Sequence, residues 1–202
     1  MKVVVFGRGG KVGLILGPAL IAAGHDLVTD LSSADVAVDF TGPEVVASNI
    51  AECLRAEVPV VVGTTGWIVA PVDEAARAAG VPIIFAANFS LGAVLMMRLA
   101  ATAAAWFPAS HIVEMHDVSK KDAPSGTAIA TAAAMGTPEI SSVRLPGLVA
   151  HQEVIFSVEG ESLTIRHDTT SRDAFVPGVL LALAKVRGLQ PGVTVGLDSL
   201  IL

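Results

Sequence analysis

The side chains best suited to proton transfer are clustered between residues 116 and 121. His116 has the side-chain type whose unperturbed pKa lies nearest neutrality, so it can give or take a proton at working pH. Lys120 and Lys121 follow it and add fixed positive charge. The spacing therefore favours a site where a proton moves beside an anionic group.

Directly after these charges the chain predicts a helix with an anion-binding start. Ser125 suits the N-cap of the alanine-rich run 128–134, and Gly126 and Thr127 would present backbone N–H groups at the positive end of the helix dipole. A lysine beside such an end makes a good receptor for a carboxylate or phosphate. We therefore expect Ser125, Gly126 and Thr127 to contact an anionic substrate.

The alternative is a solvated loop before a helix, with a capping serine and incidental charges. Two features weigh against it. Only 16% of the residues in the chain are charged, yet charges are crowded here. The segment 110–115 is typical of a strand, which places the cluster at a strand's carboxyl end, where α/β proteins position their chemistry.

A glycine-rich loop near the N-terminus predicts a dinucleotide site. The loop follows the apolar strand 2–6, precedes the helical pattern 14–23 and fits GxxGxxG at Gly7, Gly10 and Gly13. These glycines permit a tight turn, close approach of the backbone to a pyrophosphate, and close helix–strand packing. A simple tight turn is the alternative. The residues expected to contact the cofactor phosphates are Gly7, Arg8, Gly9, Gly10, Lys11 and Val12.

Asp30 ends the second predicted strand, where an acidic residue would accept hydrogen bonds from a ribose 2′-hydroxyl. No arginine follows it in 31–33 to pair with a 2′-phosphate, although Arg8 and Lys11 could do so. The cofactor is therefore NADH or NADPH, with NADH favoured. An ordinary surface-turn aspartate is the alternative.

Two further strand ends carry small and polar residues suited to a nicotinamide. Small side chains leave room for the ring, while Thr and Asn offer hydrogen bonds to its ribose and amide. Read alone, each segment fits an ordinary turn equally well. The residues expected to contact the cofactor here are Gly63, Thr64, Thr65, Ala86, Ala87, Asn88 and Phe89.

The hydrophobic pattern predicts an α/β fold: a Rossmann-type doubly wound parallel sheet with a second, inserted α+β domain containing a mixed sheet. In the first part, strands are predicted at 2–6, 26–29, 36–40, 58–62 and 81–86, and helices at 14–23, 43–56 and 70–79. After residue 90, strands are predicted at 110–115, 141–145, 151–159, 161–168 and 193–197, and helices at 92–107, 128–134 and 176–186. The dinucleotide-binding domain is expected at 1–90 plus 173–202, and the substrate-binding and oligomerisation domain at 91–172.

Composition excludes several classes of function. The net charge of −6, without any basic block, argues against nucleic acid as a partner. Mean hydropathy is high at +0.67, but the longest apolar run, 91–107, is interrupted by Arg98 and too short for a membrane span.

Cysteine and histidine usage argues against metal and disulfide chemistry. Cys53 is the single cysteine and is expected to be buried and inert. The five histidines are scattered and form no metal-ligand motif, so no metal is expected.

Met1 leads directly into a strand without a signal-peptide pattern, and we expect a cytoplasmic protein. Trp67 and Trp106 are expected to serve packing.

Taken together, these segments resemble the 4-hydroxy-tetrahydrodipicolinate reductase (dihydrodipicolinate reductase) family. The resemblance covers nearly the whole chain in unbroken order, and its most specific part is His116…Lys120-x-Asp122-Ala123-Pro124-Ser125-Gly126-Thr127-Ala128. The other matching pieces are Gly7 to Gly13, 38–41, 62–66, 87–92, 145–147, 151–154, 163–168 and 175–180.

The resemblance implies a cytoplasmic homotetramer that uses NAD(P)H to reduce a cyclic imine dicarboxylate in lysine and diaminopimelate biosynthesis. His116 matches the family's proton donor and acceptor, and Lys120 matches its catalytic lysine. Gly126 and Thr127 match the residues that bind a substrate carboxylate. His151 and His167 are read as hydrogen-bonded strand histidines, and Arg144 and Arg166 as possible partners of a carboxylate.

Two departures from the family stand out. Asp117 occupies a position where many members have a second histidine, and its charge would repel an anionic substrate unless a cation such as Lys121 screens it. The chain is also shorter, with little between Asp30 and Asp35 and only 135–139 between the alanine-rich helix and the next strand. These departures leave open a catalytically weak or silent nucleotide-binding homologue. A second alternative is another small Rossmann dehydrogenase of imino or amino dicarboxylates.

Overall fold

The computed structural model describes residues 1–201, which divide into two compact units. Unit 1 contains Met1–Phe89 and the chain from Phe175 onward, and unit 2 is Ser90–Ala174. The chain therefore leaves the first unit once and returns to it once.

Unit 1 is a six-stranded sheet with helices, and every strand pairing in it is parallel. Its strands are β1 (Lys2–Phe6), β2 (Asp26–Val28), β3 (Val36–Asp39), β4 (Val60–Val62), β5 (Pro82–Phe85) and β10 (Gly192–Val195). Its helices are α1 (Gly13–Ala22), α2 (Val46–Arg55), α3 (Val69–Ala79), α6 (Val176–Val186) and α7 (Asp198–Ile201). The strands are valine- and isoleucine-rich and largely buried, as expected for parallel strands covered on both faces.

The strand order is β2-β1-β3-β4-β5-β10, so the direction of winding reverses at β1. Ligands bind at such a reversal, outside the carboxyl ends of the strands. The register pairs Phe6 with Asp39, Asp39 with Val62, and Val62 with Phe85, which aligns these carboxyl ends along one edge. The glycine loop and the strand ends after β3, β4 and β5 therefore meet at that edge.

The return from β2 to β3 takes only residues 29–35, with one short 3-10 turn at Leu31–Ser33. Parallel strands are usually joined by a longer crossover, most often a helix. The common six-stranded dinucleotide-binding order also has a further strand beyond the second one. Here β2 is the edge strand of the sheet among residues 1–201.

Unit 2 is a four-stranded mixed sheet with two helices. Its elements are α4 (Leu91–Ala104), β6 (Ala109–His116), α5 (Gly126–Met135), β7 (Glu139–Arg144), β8 (Ala150–Val158) and β9 (Glu161–Thr169). The strand order is β7-β6-β8-β9, with β6 and β7 parallel and the other pairs antiparallel. A two-residue turn at 159–160, with Gly160 at φ +92°, joins β8 and β9.

One face of this second sheet forms the core with α4 and α5. Alternate residues of a strand point to the same face, so Val154 and Phe156 of β8 lie on the face of Ile112 of β6. These three side chains are fully buried with Met96 of α4 and Ala128 of α5. The same face carries the even-numbered residues at the carboxyl end of β6.

The predicted fold class is confirmed, with differences at element boundaries. Helix α2 begins at Val46 rather than at residue 43, because Val45 and Val46 donate their N–H groups to Gly42 and close a turn first. The short helix α7 and the 3-10 turn after β2 were not predicted. No helix within residues 1–201 is long and apolar enough to cross a membrane.

The expectation for Trp106 is wrong. Its side chain is 82% exposed, because the chain turns just after α4 and directs the next residue, Phe107, inward against Phe156. Trp67 does pack, with its ring centroid 4.8 Å from that of Phe85 and its indole N–H donating to the carbonyl of Thr64.

Candidate active site

A buried carboxylate, Glu114, organises the proton-transfer cluster of unit 2. Glu114, His116 and Arg144 share one face of the sheet, since Glu114 and His116 are two apart on β6 and Arg144 is the register partner of His116 on β7. The Glu114 side chain is 0% exposed. It accepts hydrogen bonds from Arg144 Nη1 at 3.0 Å and Nη2 at 2.7 Å, and from the Ser125 backbone N–H at 3.3 Å.

His116 also contacts this carboxylate. Its Nδ1 lies 2.5 Å from Glu114 Oε2, and the imidazole side chain is 14% exposed. Burial lowers the pKa of His116, which outweighs the opposing hydrogen bond and charge of Glu114. The charges of Lys120 and Arg144 also lower that pKa. These surroundings therefore favour the neutral form of the imidazole.

The pKa of Glu114 is shifted downward overall. Burial raises it, but the hydrogen bonds from Arg144, Ser142 and His116 together outweigh burial. The carboxylate is thus ionised at neutral pH and acts as an acceptor only.

Lys120 lies in the loop after β6 and is 27% exposed. Its Nζ is 2.8 Å from Asp122 Oδ2, and the backbone carbonyl of Asp122 accepts a hydrogen bond from Arg144 Nη2 at 2.8 Å. This link holds the lysine in the same cluster as His116, whose pKa it lowers. The two residues predicted for proton transfer are therefore brought together.

The helix start predicted at Ser125 is present as the start of α5. Ser125 is the N-cap, and its Oγ accepts from the Ala128 N–H at 3.2 Å. Gly126 and Thr127 are the first two helical residues, and N–H groups at such positions point out of the helix. Because the Ser125 backbone N–H also contacts Glu114, the helix start is tied to the His116 cluster.

The carboxylate of Asp117 accepts hydrogen bonds from two backbone N–H groups of the same chain. Oδ1 accepts from the Ser119 N–H at 3.0 Å and Oδ2 from the Gly147 N–H at 3.1 Å. These hydrogen bonds lower the pKa of Asp117, so it stays charged. The residue that departs from the family pattern therefore joins the end of β6 to the loop after β7.

The two arginines expected to meet a carboxylate both do so within the chain. Arg144 binds Glu114, while Arg166 binds Asp168 at 2.9 Å and also Glu153. His151 Nδ1 lies 2.7 Å from Asp168, and His167 Nε2 lies 3.2 Å from Ser90 Oγ. The expectation of hydrogen-bonded strand histidines is confirmed for both.

The glycine loop of unit 1 is built for close backbone packing. A Cβ on Gly7 would lie 2.3 Å from the Phe40 carbonyl, and one on Gly13 would lie 2.1 Å from the Gly7 carbonyl. Around Gly9, in contrast, nothing lies within 4 Å of the corresponding position. Arg8 and Lys11 flank this open, exposed stretch. The loop therefore has the tight turn and the accessible backbone that a pyrophosphate needs.

Asp39, which the sequence analysis did not single out, organises the neighbouring strand ends. Its buried carboxylate accepts from the Thr64 hydroxyl at 2.6 Å, from the Thr41 hydroxyl at 2.7 Å and from Asn49 Nδ2 at 2.7 Å. The Thr41 backbone N–H donates to Thr64 Oγ1 at 2.8 Å. Since the Thr64 hydroxyl gives its proton to Asp39, Thr64 has no side-chain proton left for a ligand.

The other predicted cofactor contacts differ in exposure. Thr65 and Ala87 are exposed and Asn88 is half-buried, whereas the side chains of Ala86 and Phe89 are buried. Phe89 packs edge-on against Phe40, with ring centroids 5.3 Å apart. Any contact from Ala86 or Phe89 must therefore come from the backbone.

Asp30 is fully exposed, but its carboxylate is already used in the turn after β2. Oδ1 accepts from the Ser32 N–H at 2.9 Å and Oδ2 from the Ser32 hydroxyl at 2.6 Å. These bonds lower the pKa of Asp30 and orient it. The carboxylate retains lone pairs for a further donor such as a ribose hydroxyl.

Other chemistry is not supported by the described residues. No group of three or more His, Cys, Asp or Glu between residues 1 and 201 is arranged to hold a metal ion. Cys53 is buried on α2, and burial raises the pKa of its thiol to about 12, so it is protonated and unreactive.

The fold and these residues define a class: oxidoreductases with a dinucleotide-binding parallel sheet and a separate mixed-sheet unit. Family models agree, since "Dihydrodipicolinate reductase, N-terminus" matches residues 15–89 and "Dihydrodipicolinate reductase, C-terminus" matches residues 92–201. The chain belongs to the dihydrodipicolinate reductase family.

Individual relatives agree along nearly the full length. The 4-hydroxy-tetrahydrodipicolinate reductase of Beutenbergia cavernae is 39% identical, with 98% of each chain covered. That of Moorella thermoacetica is 44% identical over 92% of this chain and 80% of its own. Among solved structures, the dipicolinate-bound dihydrodipicolinate reductase from Paenisporosarcina sp. TG-14 has a TM-score of 0.85 at 30% identity, with 98% of each chain covered.

The Beutenbergia alignment extends over 242 residues, although this chain has 202. Relatives therefore carry additional residues inside the matched region, in agreement with the shortened loops noted in the sequence.

Proposed function

We propose that this chain catalyses the NAD(P)H-dependent reduction of 4-hydroxy-tetrahydrodipicolinate to tetrahydrodipicolinate, a step of lysine and diaminopimelate biosynthesis. The observation that carries the proposal is the cluster around Glu114, which joins His116, the Lys120 loop and the Ser125 helix start within one unit. The names of the full-length relatives supply the substrate.

His116 transfers the proton in this proposal. Its lowered pKa means that the imidazolium gives up its proton easily once a basic atom of the substrate is close. Lys120 contributes positive charge and a proton, and it is steered by its ion pair with Asp122.

Ser125, Gly126 and Thr127 bind a carboxylate of the substrate. The N-terminal N–H groups of α5 and the helix dipole favour negative charge there. A fixed anion site beside the proton donor holds the ring in a reproducible orientation, which is itself a large part of catalysis.

The residues of unit 1 fit a dinucleotide, and the bound cofactor supplies the hydride. The Gly7–Gly13 loop accommodates the pyrophosphate, Asp30 the ribose, and the exposed Thr65 and Ala87 with the half-buried Asn88 the nicotinamide end. Asp39 holds Thr41 and Thr64 in place behind them. We propose NADH as the preferred cofactor, because an acidic side chain at residue 30 accepts from a ribose hydroxyl and repels a 2′-phosphate.

The proposal extends to the protein's surroundings. A single buried cysteine and a site that needs reduced nicotinamide suit the cytoplasm. A homotetramer is proposed because the resemblance implies it, with the outer face of the mixed sheet available for contact. Sedimentation of the purified chain tests this, and a monomer at micromolar concentration contradicts it.

The test of function is a spectrophotometric assay with NADH and the product of dihydrodipicolinate synthase. Replacing His116 with Gln or Lys120 with Met should each lower kcat by about 10²–10⁴-fold, the contribution of a positioned acid–base group. NADH affinity should stay within about twofold, since neither residue belongs to unit 1.

The controls separate the alternatives. Lys121→Met removes a neighbouring charge without removing either proton donor and should retain most activity. Wild-type protein that binds NADH without turning over this substrate identifies a silent homologue. Turnover of another imino or amino dicarboxylate instead identifies a different dehydrogenase.

A further inference from the structure

The contacts around Glu114 bear on a question that the position of His116 alone leaves open, namely which ring nitrogen exchanges the proton. A neutral imidazole carries its proton on either Nδ1 or Nε2, and the partner of one nitrogen fixes the state of the other.

Three N–H donors and the ring of His116 converge on the two oxygens of Glu114, and the Ser142 hydroxyl adds a further hydrogen bond. Oε1 receives Arg144 Nη2 and the Ser125 N–H, while Oε2 receives Arg144 Nη1 and the ring of His116. An ionised carboxylate only accepts hydrogen bonds, and the N–H groups of Arg144 and Ser125 favour that ionised form, as does the Ser142 hydroxyl. Glu114 therefore accepts from the His116 ring and does not donate to it.

We infer that Glu114 is a positioning residue that holds the neutral His116 as the Nδ1–H tautomer and leaves Nε2 as the proton-exchanging atom. Arg144 supports this role through its ion pair with Glu114. Its bidentate contact balances the buried charge of Glu114, so the carboxylate orients the imidazole without holding it permanently protonated. The inference deepens the proposed function, on which it rests for the role of His116.

Nitrogen NMR of histidine-labelled protein tests the tautomer directly, without any turnover. Protonated and unprotonated ring nitrogens have well-separated shifts, and the spectrum of His116→Gln identifies the signals that belong to His116. At a pH where His116 is neutral, we expect a protonated Nδ1 and an unprotonated Nε2. The opposite tautomer in the wild-type protein overturns the inference, and this measurement needs no variant that has to fold with a buried charge removed.

Glu114→Gln tests the positioning role. The amide keeps the shape of the side chain but has only one acceptor oxygen, for which Arg144 and His116 must compete. We expect the Nδ1–H form to lose its dominance, the titration midpoint of His116 to fall, and kcat to drop at least about tenfold. The KM for NADH should change by less than about twofold.

Glu153→Gln is the matched control, because Glu153 is also a sheet carboxylate paired with an arginine but does not contact His116. It should leave the His116 signals and kcat unchanged. A Glu114→Gln spectrum identical to the wild type overturns the inference. The proposed function fails separately, if His116→Gln retains turnover while the Nδ1–H tautomer is observed.

Discussion

Two half-buried histidines should make the stability of unit 2 sensitive to acid. His116 on β6 and His167 on β9 both have a pKa below the usual 6.5, in each case chiefly because burial disfavours the charged ring. For His167 the packing is close, since a Cβ on Gly92 would lie 2.6 Å from the ring. There is no room for water to solvate a charge on that side.

The stability of the protein should therefore fall as pH is lowered from 7 towards 5. Unfolded histidine takes up a proton near pH 6.5, whereas the folded rings resist protonation. The unfolded state then binds more protons, and the free energy of unfolding decreases with acidification until the folded-state pKa is passed. Urea denaturation at a series of pH values measures this slope.

Two variants assign part of the slope to His167. His167→Gln removes the titrating ring and should flatten the curve. Ser90→Ala removes the hydroxyl that His167 contacts and that caps α4, so it should lower stability by about 1 kcal/mol at every pH. Most of the slope should remain, because it comes from burial of the His167 ring. An equal slope in wild type and His167→Gln would contradict the prediction.

At the scale of elements, two glycines of the loop after β1 have different roles, one in helix packing and one in leaving space for a ligand. Gly13 is buried at the start of α1, where any side chain meets the Gly7 carbonyl. Gly9 is exposed, with space around it. The first glycine lets the helix approach the strand, and the second leaves the backbone open to a ligand.

Alanine at each position should therefore have opposite effects. Gly13→Ala should destabilise the protein by several kcal/mol, because its Cβ collides with backbone that cannot rotate away. Gly9→Ala should leave the melting temperature within a few degrees of wild type yet weaken NADH binding. Calorimetric melting and fluorescence titration with NADH measure the two effects, and equal loss of stability in both variants counts against the assignment.

The sequence predicted the elements that are marked by a clear local pattern. The buried valine runs, the glycine loop and the Ser125 cap are local, so their strands, turn and helix start could be located without coordinates. Glu114 and Asp39 were missed, because a single carboxylate inside an apolar strand has no periodicity that marks it. The acidic residue itself could have identified these positions, because a carboxylate in an otherwise apolar strand needs hydrogen-bonding partners where it is buried. For Glu114, the chief partner lies 30 residues away on another strand.

The whole molecule contains two compact units, to which the proposed function assigns the cofactor and the substrate. A ligand that binds only the folded state raises the free energy of unfolding, by about 2.7 kcal/mol at 100 times its dissociation constant. Both kinds of ligand should thus stabilise the protein, through different units.

Thermal melting with each ligand tests this division. NADH should raise the melting temperature more than NADPH at equal concentration. Dipicolinate, the ligand named for the Paenisporosarcina structure, should also raise it. Ser125→Ala should reduce the shift caused by dipicolinate but not the one caused by NADH. A larger shift with NADPH would reverse the proposed cofactor preference.

The short connection between β2 and β3 is a suitable place to insert a longer loop from a relative. The outer edge of β2 has no neighbouring strand among residues 1–201, and the surface segment 29–35 runs beside it. Lengthening a surface loop costs little free energy, roughly 0.6 kcal/mol for each doubling. In the proposed cofactor site, a segment transplanted there from a longer relative would lie at the adenosine end of the dinucleotide, so it should change coenzyme choice while leaving His116 and Lys120 untouched.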